Sequence, residues 1–388
     1  MTGAGRDTRV VPLETDVLVV GAGLAGLHTA ALLARRGHAV TVVDKRADLT
    51  TAIRTTGIFV RRTLDDFALP TNLLGPPIRD VALYPPSLSR PVRLTSERDE
   101  FRVADMPGLY TEFTARAERS GARVVLGTRY VGRAGDRYRL VGRGGEDLEV
   151  RARFLVGADG ARSRAARDLG LDRNTRLLVG VEEVYPSTRA GTVPTFHCVI
   201  DPRLAPGYLA WVCDDGEHVH VGTAGYADRY PDGPWRALRR LDAAAPGLVP
   251  APVGAVERRA GPIPVGGLLR RISSPRGLLL EDAAGAVSPL TAGGLDPCLR
   301  LSDHAAEVLD EALTREDPAV LRRFDGATLR RRFRGRVTMR RAMSLMRSAA
   351  VTEAAFGALR TSLGQEAARR IFFADRSFPL PAPVADHG

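Results

Sequence analysis

The chain of 388 residues contains a single lysine, Lys45, although its net charge is +11. Arginine supplies the rest of that positive charge, a lopsidedness that reflects a GC-rich coding bias and from which no binding function follows. Cysteine is almost as scarce. Cys198, Cys213 and Cys298 are odd in number and far apart, so they suit neither a disulfide framework nor a metal-ligand pattern, and no metal is expected. A reducing, cytoplasmic compartment is the simplest one to match. Aromatic residues make up 6% of the chain, which argues against a basic face interleaved with base-stacking rings and against nucleic acid as a partner. No apolar run approaches the length that spans a bilayer. Met1 to Leu13 is polar and lacks the apolar core of a secretory signal. Internal repeats are absent as well.

What the chain does have is concentrated near its start. Val17 to Val20 is a short apolar run of the kind that makes a buried parallel strand. Gly21, Gly23 and Gly26 follow at G-x-G-x-x-G spacing. Ala30, Ala31, Leu33 and Ala34 continue at helical spacing to Gly37, and Ala39 to Val43 predicts a second strand closing on Asp44. Gly21 permits the tight turn, Gly23 lets the backbone approach a pyrophosphate, and Gly26 lets helix and strand pack closely. The helix N-terminus offers free N–H groups to phosphate. Asp44 can accept hydrogen bonds from ribose hydroxyls. The fingerprint stands in its required strand–turn–helix–strand context and specifies a dinucleotide, without choosing between FAD and NAD.

Further on, Thr50 to Val60 reads as a loop able to fold back over a cofactor. Val81 to Tyr84 and Val92 to Leu94 read as strands, Leu109 to Ser120 as a helix, and Arg137 to Leu140 with Leu148 to Phe154 as a hairpin. Ala158-Asp159-Gly160 ends another strand before a helix opening at Ser163. The segments 179–184, 195–200, 207–213 and 218–222 are strand-like and suggest a β-rich substrate domain. Gly261-Pro262-Ile263-Pro264 reads as a connector rather than a core element. A third glycine-rich turn, with Asp282, Pro289, Gly293 and Gly294, leads into a helix. Pro318 to Arg370 is helical and arginine-heavy, and Phe378 to Gly388 reads as a loose tail.

Three of these stretches together resemble the FAD-dependent oxidoreductases of the aromatic-hydroxylase fold, and within them the geranylgeranyl reductase-like branch. They are the N-terminal fingerprint, Ala158-Asp159-Gly160-Ala161-Arg162-Ser163, and Asp282-Ala283-Ala284-Gly285 with Pro289-Leu290-Thr291-x-Gly293-Gly294-Leu295. The spacing of Ser163 and Arg167, and the strand pair from Gly207 to Val212 and Val219 to Gly222, are similar to that branch too. The resemblance covers about residues 14 to 310. It implies an α/β, p-hydroxybenzoate hydroxylase-like fold: a Rossmann-like FAD-binding domain (14–80, 98–172, 273–312) interleaved with a β-rich substrate domain (81–97, 173–272), then a C-terminal helical region and tail (313–388).

The same resemblance implies a cofactor site of Gly21, Ala22, Gly23, Leu24, Ala25 and Gly26; Asp44, Lys45 and Arg46; Arg54 and Thr55; Val131; Asp159 and Gly160; and Asp282, Pro289, Gly293, Gly294 and Leu295. His197, Tyr208 and Trp211 are the substrate-wall candidates; Tyr208 and Trp211, three apart, are expected on opposite strand faces. No catalytic residue stands out. The implied activity is FAD-dependent oxidation–reduction of an apolar small molecule in specialised metabolism, by reduction of a C=C bond or by hydroxylation. NAD(P)H would visit transiently, since there is no second fingerprint, or an electron carrier would replace it. An acyl carrier protein or peripheral contact with a membrane would suit the basic run from Arg330 to Arg341, although a solvated helix face is the plainer reading. A non-redox cyclase or isomerase with structural FAD is the alternative, and a weak FAD binder without activity a third reading.

The chain departs from the pattern at three places, one of them near the helix at Leu109, where the arginine the resemblance implies is replaced by Asp105 or displaced to Arg102. Thr55 stands where those reductases commonly carry a flavin-facing cysteine. Glu281 stands where a glycine usually precedes the third-motif aspartate, and a carboxylate beside a pyrophosphate is repulsive. The related flavin halogenases use a lysine near the substrate; Lys45, beside Asp44, is in the wrong place for that chemistry.

Overall fold

The computed structural model describes residues 13–187, 193–245, 247–248 and 254–373. The extreme N-terminus and the tail from Phe378 to Gly388 lie outside the described residues. Two sheets dominate what is described. In the first, the strands Gly277–Leu279, Asp147–Gly157, Leu13–Val20, Val40–Val43 and Arg123–Val125 lie side by side and parallel. Val17, Leu18 and Val19 are fully buried, because this sheet is covered on both faces and can use apolar residues without alternation. The helix Leu24–Arg35 is buried almost all round, packed between the sheet and the helices Met106–Arg119 and Leu295–Thr314. Asp105 caps Met106–Arg119, accepting from the N–H of Gly108. The hairpin of Arg137–Val141 with Asp147–Gly157 forms as expected and continues to a further strand, Arg129–Ala134.

The second sheet runs in the order Glu257–Pro264, Leu177–Pro186, His218–Gly225, Ala210–Asp214, Thr195–Val199, Asp80–Tyr84, Val92–Thr95. Its neighbours are antiparallel except Thr195–Val199 beside Asp80–Tyr84. Alternation sorts its side chains. Ala82, Val199, Val212 and Val221 face one way, toward a cluster closed by the helix Pro234–Ala244, which buries Ala237, Leu238 and Leu241. Leu83, Cys198 and Cys213 face the other way.

One element differs from expectation. Gly261 to Pro264 is not a connector but part of the strand Glu257–Pro264, paired along Leu177–Pro186. It lies at the sheet edge, where proline removes no ladder bond that a neighbour needs. Beyond the second sheet, the helices Arg334–Leu345, Ala349–Leu359 and Ser362–Phe372 return over its cavity-facing side. Among the described residues, no helix is long and apolar enough to cross a membrane.

Candidate active site

The fingerprint turn has the geometry its glycines require. Gly21 has φ +109°, and a Cβ there would lie 2.0 Å from the carbonyl oxygen of Ala158. A Cβ on Gly26 would meet the carbonyl of Gly21 at the same distance, so helix and strand touch through backbone. Gly23 differs: what lies over it is the side chain of Glu281, its Oε2 3.1 Å from the position of a Cβ. The helix that follows has no side-chain cap, and its first N–H groups stay available to a ligand.

Asp44 ends the second strand and accepts from the N–H of Ala22 at 2.9 Å and of Arg46 at 2.8 Å. The Arg46 guanidinium closes on the same carboxylate at 3.1 and 3.0 Å. Burial opposes the charge of Asp44, but these donors outweigh it and hold its pKa below the usual carboxylate value. Asp159 accepts from Ser163 Oγ at 2.5 Å and from the N–H groups of Arg164 and Ala165 at 2.7 and 3.1 Å. It therefore orders the turn that opens the following helix while facing the cavity. Burial pushes the carboxyls of Asp282 and Glu281 up, and the neighbouring charge of Asp282 adds to the effect on Glu281.

These groups line one cavity of 1460 Å³. A pocket for a single small molecule measures about 300–1,000 Å³, so this one has room for a dinucleotide and a second ligand. Gly21, Gly23, Leu24, Asp44, Lys45, Arg46, Arg54, Thr55, Val131, Asp159, Gly160, Asp282, Gly293, Gly294 and Leu295 all face it. Ala22, Ala25, Gly26 and Pro289 stand behind the wall; Ala22 reaches the site only through its N–H to Asp44, and Gly26 acts in packing.

The far end of the cavity is apolar. Phe196, Ile200 and Leu209 come from the second sheet and its turns, Ile263 from the edge strand, and Met343, Leu359 and Phe372 from the three C-terminal helices. Tyr208 and Trp211 both face this space, contrary to the expectation of opposite faces, because Tyr208 lies in the turn before the strand and escapes its alternation. The Trp211 indole lies across Gly222, where a Cβ would fall 2.1 Å from it. His197 does not reach the cavity. It alternates with Phe196 and Cys198, points to the opposite face, and its Nδ1 lies 3.1 Å from the hydroxyl of Tyr84.

Between the two ends sits a cluster that the sequence did not disclose. Glu182, 4% exposed, accepts hydrogen bonds from Thr56 Oγ1, from Trp211 Nε1 at 3.0 Å and from Arg259 at 3.1 Å. His220 Nδ1 lies 3.5 Å away as an ionic neighbour, and its Nε2 is 2.8 Å from Asp215. Arg259 also donates to the carbonyl of Thr55 at 2.8 Å and to Glu257 at 2.6 Å. Burial opposes the charge on Glu182, yet His220, Arg259 and Thr56 together hold it below the usual range. Burial likewise opposes the proton on His220, yet Asp215 and Glu182 raise its pKa to about 9. The one available signal was the pair Glu182-Glu183 inside an apolar strand.

Comparison with known proteins agrees with this geometry. A family described as an FAD binding domain matches residues 14–207. The digeranylgeranylglycerophospholipid reductase 1 of Methanopyrus kandleri is 31% identical over 321 residues, 79% of this chain and 83% of the relative. A geranylgeranyl bacteriochlorophyll reductase-like protein from Thermoplasma acidophilum superposes with a TM-score of 0.80 at 20% identity, covering 89% of this chain and 91% of the other. The p-nitrophenol 4-monooxygenase of Pseudomonas putida superposes at 0.68 with 20% identity, over 93% and 97% of the two chains. The two structural likenesses establish the p-hydroxybenzoate hydroxylase-like fold.

Proposed function

Because the chain belongs to the FAD-dependent geranylgeranyl reductase-like family, we propose that this FAD-dependent oxidoreductase reduces carbon–carbon double bonds in an isoprenoid-type apolar chain. The observation that carries the reading is the single cavity, with a dinucleotide fingerprint at one end and an apolar wall at the other. Alkene reduction adds a hydride to one carbon and a proton to its neighbour. Bound FAD, reduced by an external two-electron donor, supplies the hydride; the donor is NAD(P)H visiting transiently or an electron carrier.

The chain's residues do the rest. Gly21 and Gly23 with the following helix N-terminus hold the pyrophosphate, Asp44 a ribose, and Gly293, Gly294 and Leu295 the flavin edge. Phe196, Trp211 and Met343 exclude water around the alkene. Thr56 Oγ1 stands at the cavity wall beside Glu182; once protonated His220 has passed its proton to Glu182, the Thr56 hydroxyl accepts from that carboxyl and turns its own hydrogen to the alkene, with Glu182 replacing the proton it gives up. This supplies the acid that the cysteine-to-threonine change at Thr55 removes. The division into interleaved cofactor and substrate domains follows from the same reading.

Exposed Leu345, Val351 and Leu363 lie on the helices that line the cavity, with exposed Arg334, Arg341 and Arg347 nearby and no acid between Gly326 and Thr352. That surface suits peripheral contact with an anionic lipid layer, from which the substrate enters.

The test is anaerobic incubation of the FAD-loaded protein with dithionite and a geranylgeranyl lipid, followed by mass spectrometry. Gain of hydrogen alone supports reduction. Thr55 favours hydroxylation as the second reading, and gain of an oxygen atom from NADPH and air would establish it instead. Isomerised or cyclised product without flavin reduction would establish the non-redox alternative.

A further inference from the structure

Glu281 is held in a conformation that glutamate avoids. Its φ is +52°, in the left-handed region, where a glycine sits without cost and a side chain with a Cβ is strained. Strain of this kind is kept where the surroundings gain from the side chain. The side chain reaches to Gly23, with its carboxyl at the position left open for a pyrophosphate. It stands at the uncapped end of the helix Leu24–Arg35. Three other elements and its own chain neighbour face it. Arg46 approaches from the end of the second strand with Asp44 bound to it, Tyr110 from the helix Met106–Arg119, Cys298 from the helix Leu295–Thr314, and Asp282 is adjacent in the chain. Arg46 is the one cation in that set, and Asp44 already holds it.

We propose that Glu281 is a stand-in for the pyrophosphate, so that FAD enters this site only with uptake of one proton by the Glu281 carboxyl, and exchanges rather than remaining permanently bound. The inference rests on the FAD reading above. An ionised Glu281 and a pyrophosphate would place like charges in one low-dielectric seat, beside Asp282, where the cation acting on Glu281 is Arg46, already bound by Asp44. A neutral carboxyl removes the repulsion and also loses the attraction of Arg46, so the side chain is free to leave the seat to the pyrophosphate. Burial and the charge of Asp282 already push its pKa up, so the proton is taken within an ordinary pH range.

The experiment is a titration of FAD into the purified full chain, read by quenching of flavin fluorescence at several pH values between about 6 and 9. Wild type, Glu281→Gln and Glu281→Gly are compared. Calorimetry in buffers of different ionisation enthalpy counts the protons taken up. For the wild type, the FAD Kd weakens by up to about tenfold per pH unit at the alkaline end, with one proton taken up. Glu281→Gln flattens that slope, takes up no proton, and binds at least about tenfold more tightly at the alkaline end. Glu281→Gly behaves likewise and also relieves the backbone strain. Equal pH slopes and equal proton uptake in all three proteins would overturn the proposal while leaving the cofactor reading intact. Failure of all three to bind FAD at the acid end would overturn the cofactor reading and the proposal with it.

Discussion

Replacing Glu182 by glutamine tests whether the buried cluster is held together by charge. The substitution keeps the side-chain volume and one oxygen, and because Thr56 and Trp211 both donate to Oε2, both keep their acceptor when the amide oxygen takes that position. It removes the charge between two buried cations and turns an amide N–H₂ toward one of the donors. Breaking one partner of a buried ion pair costs about 3–5 kcal/mol. Here the lower end applies, because Arg259 keeps Glu257 and His220 keeps Asp215. At about 2 °C per kcal/mol for a large chain, the Tm should fall by about 6 °C near neutral pH. The pH dependence supplies a second readout. His220 is raised from 6.5 to about 9, so its pairing contributes stability fully below its unfolded value and loses it as pH rises through about 9. That rise is worth about 3 kcal/mol at most. The wild type should therefore lose Tm between 6.5 and about 9, and the variant should lose less over that window, having less to lose. Differential scanning fluorimetry across pH measures both. A variant within about 1 °C of the wild type, with the same pH profile, would refute the electrostatic account.

Other substitutions test other parts. Gly21→Ala places a Cβ 2.0 Å from the Ala158 carbonyl at a positive φ, so it should cost more than about 3 kcal/mol and abolish FAD binding, read as soluble yield and flavin retained on gel filtration. Arg340 is 3% exposed, its three guanidinium nitrogens have no hydrogen-bond partner among the described residues, and it lies over the Tyr208 and Tyr226 rings at 5.0 and 5.5 Å. Arg340→Met should be neutral or stabilising within about 1 kcal/mol, and a Tm loss of several degrees would show that the ring contacts outweigh desolvation. The double variant Leu345→Glu with Leu363→Glu should keep its Tm but lose sedimentation with phosphatidylglycerol vesicles; undiminished sedimentation would remove the membrane-contact reading.

The features legible in the sequence are those written in consecutive residues. The strand, glycine turn, helix and strand from Val17 to Asp44 sit next to one another in the chain, so local spacing states their geometry. The cluster around Glu182 is different. It joins four strands and the loop at Thr55 and Thr56, and each member alone has an ordinary alternative: a solvated strand acid, a satisfied core histidine, a surface arginine. Only the pairing of Leu177–Pro186 with both His218–Gly225 and Glu257–Pro264 brings Glu182, His220 and Arg259 together. Proline hid the last of these strands, since an edge position tolerates what a central one does not. Tyr208 escapes the pattern for a smaller reason, a strand that starts three residues later than its sequence suggests.

The pairing of Thr195–Val199 with Asp80–Tyr84 joins residues more than a hundred positions apart, and Leu13–Val20 reaches equally far to Asp147–Gly157. Contacts of such high order are slow to form, because loop-closure entropy has to be overcome before either sheet is rewarded. While the chain emerges from the ribosome, Leu13–Val20 and Asp80–Tyr84 each wait with an open edge for partners not yet synthesised. Fragments cut between the sheets would keep those edges and aggregate rather than fold as separate units. Expression of this protein should therefore depend on translation rate and chaperone supply more than on the stability of the finished molecule.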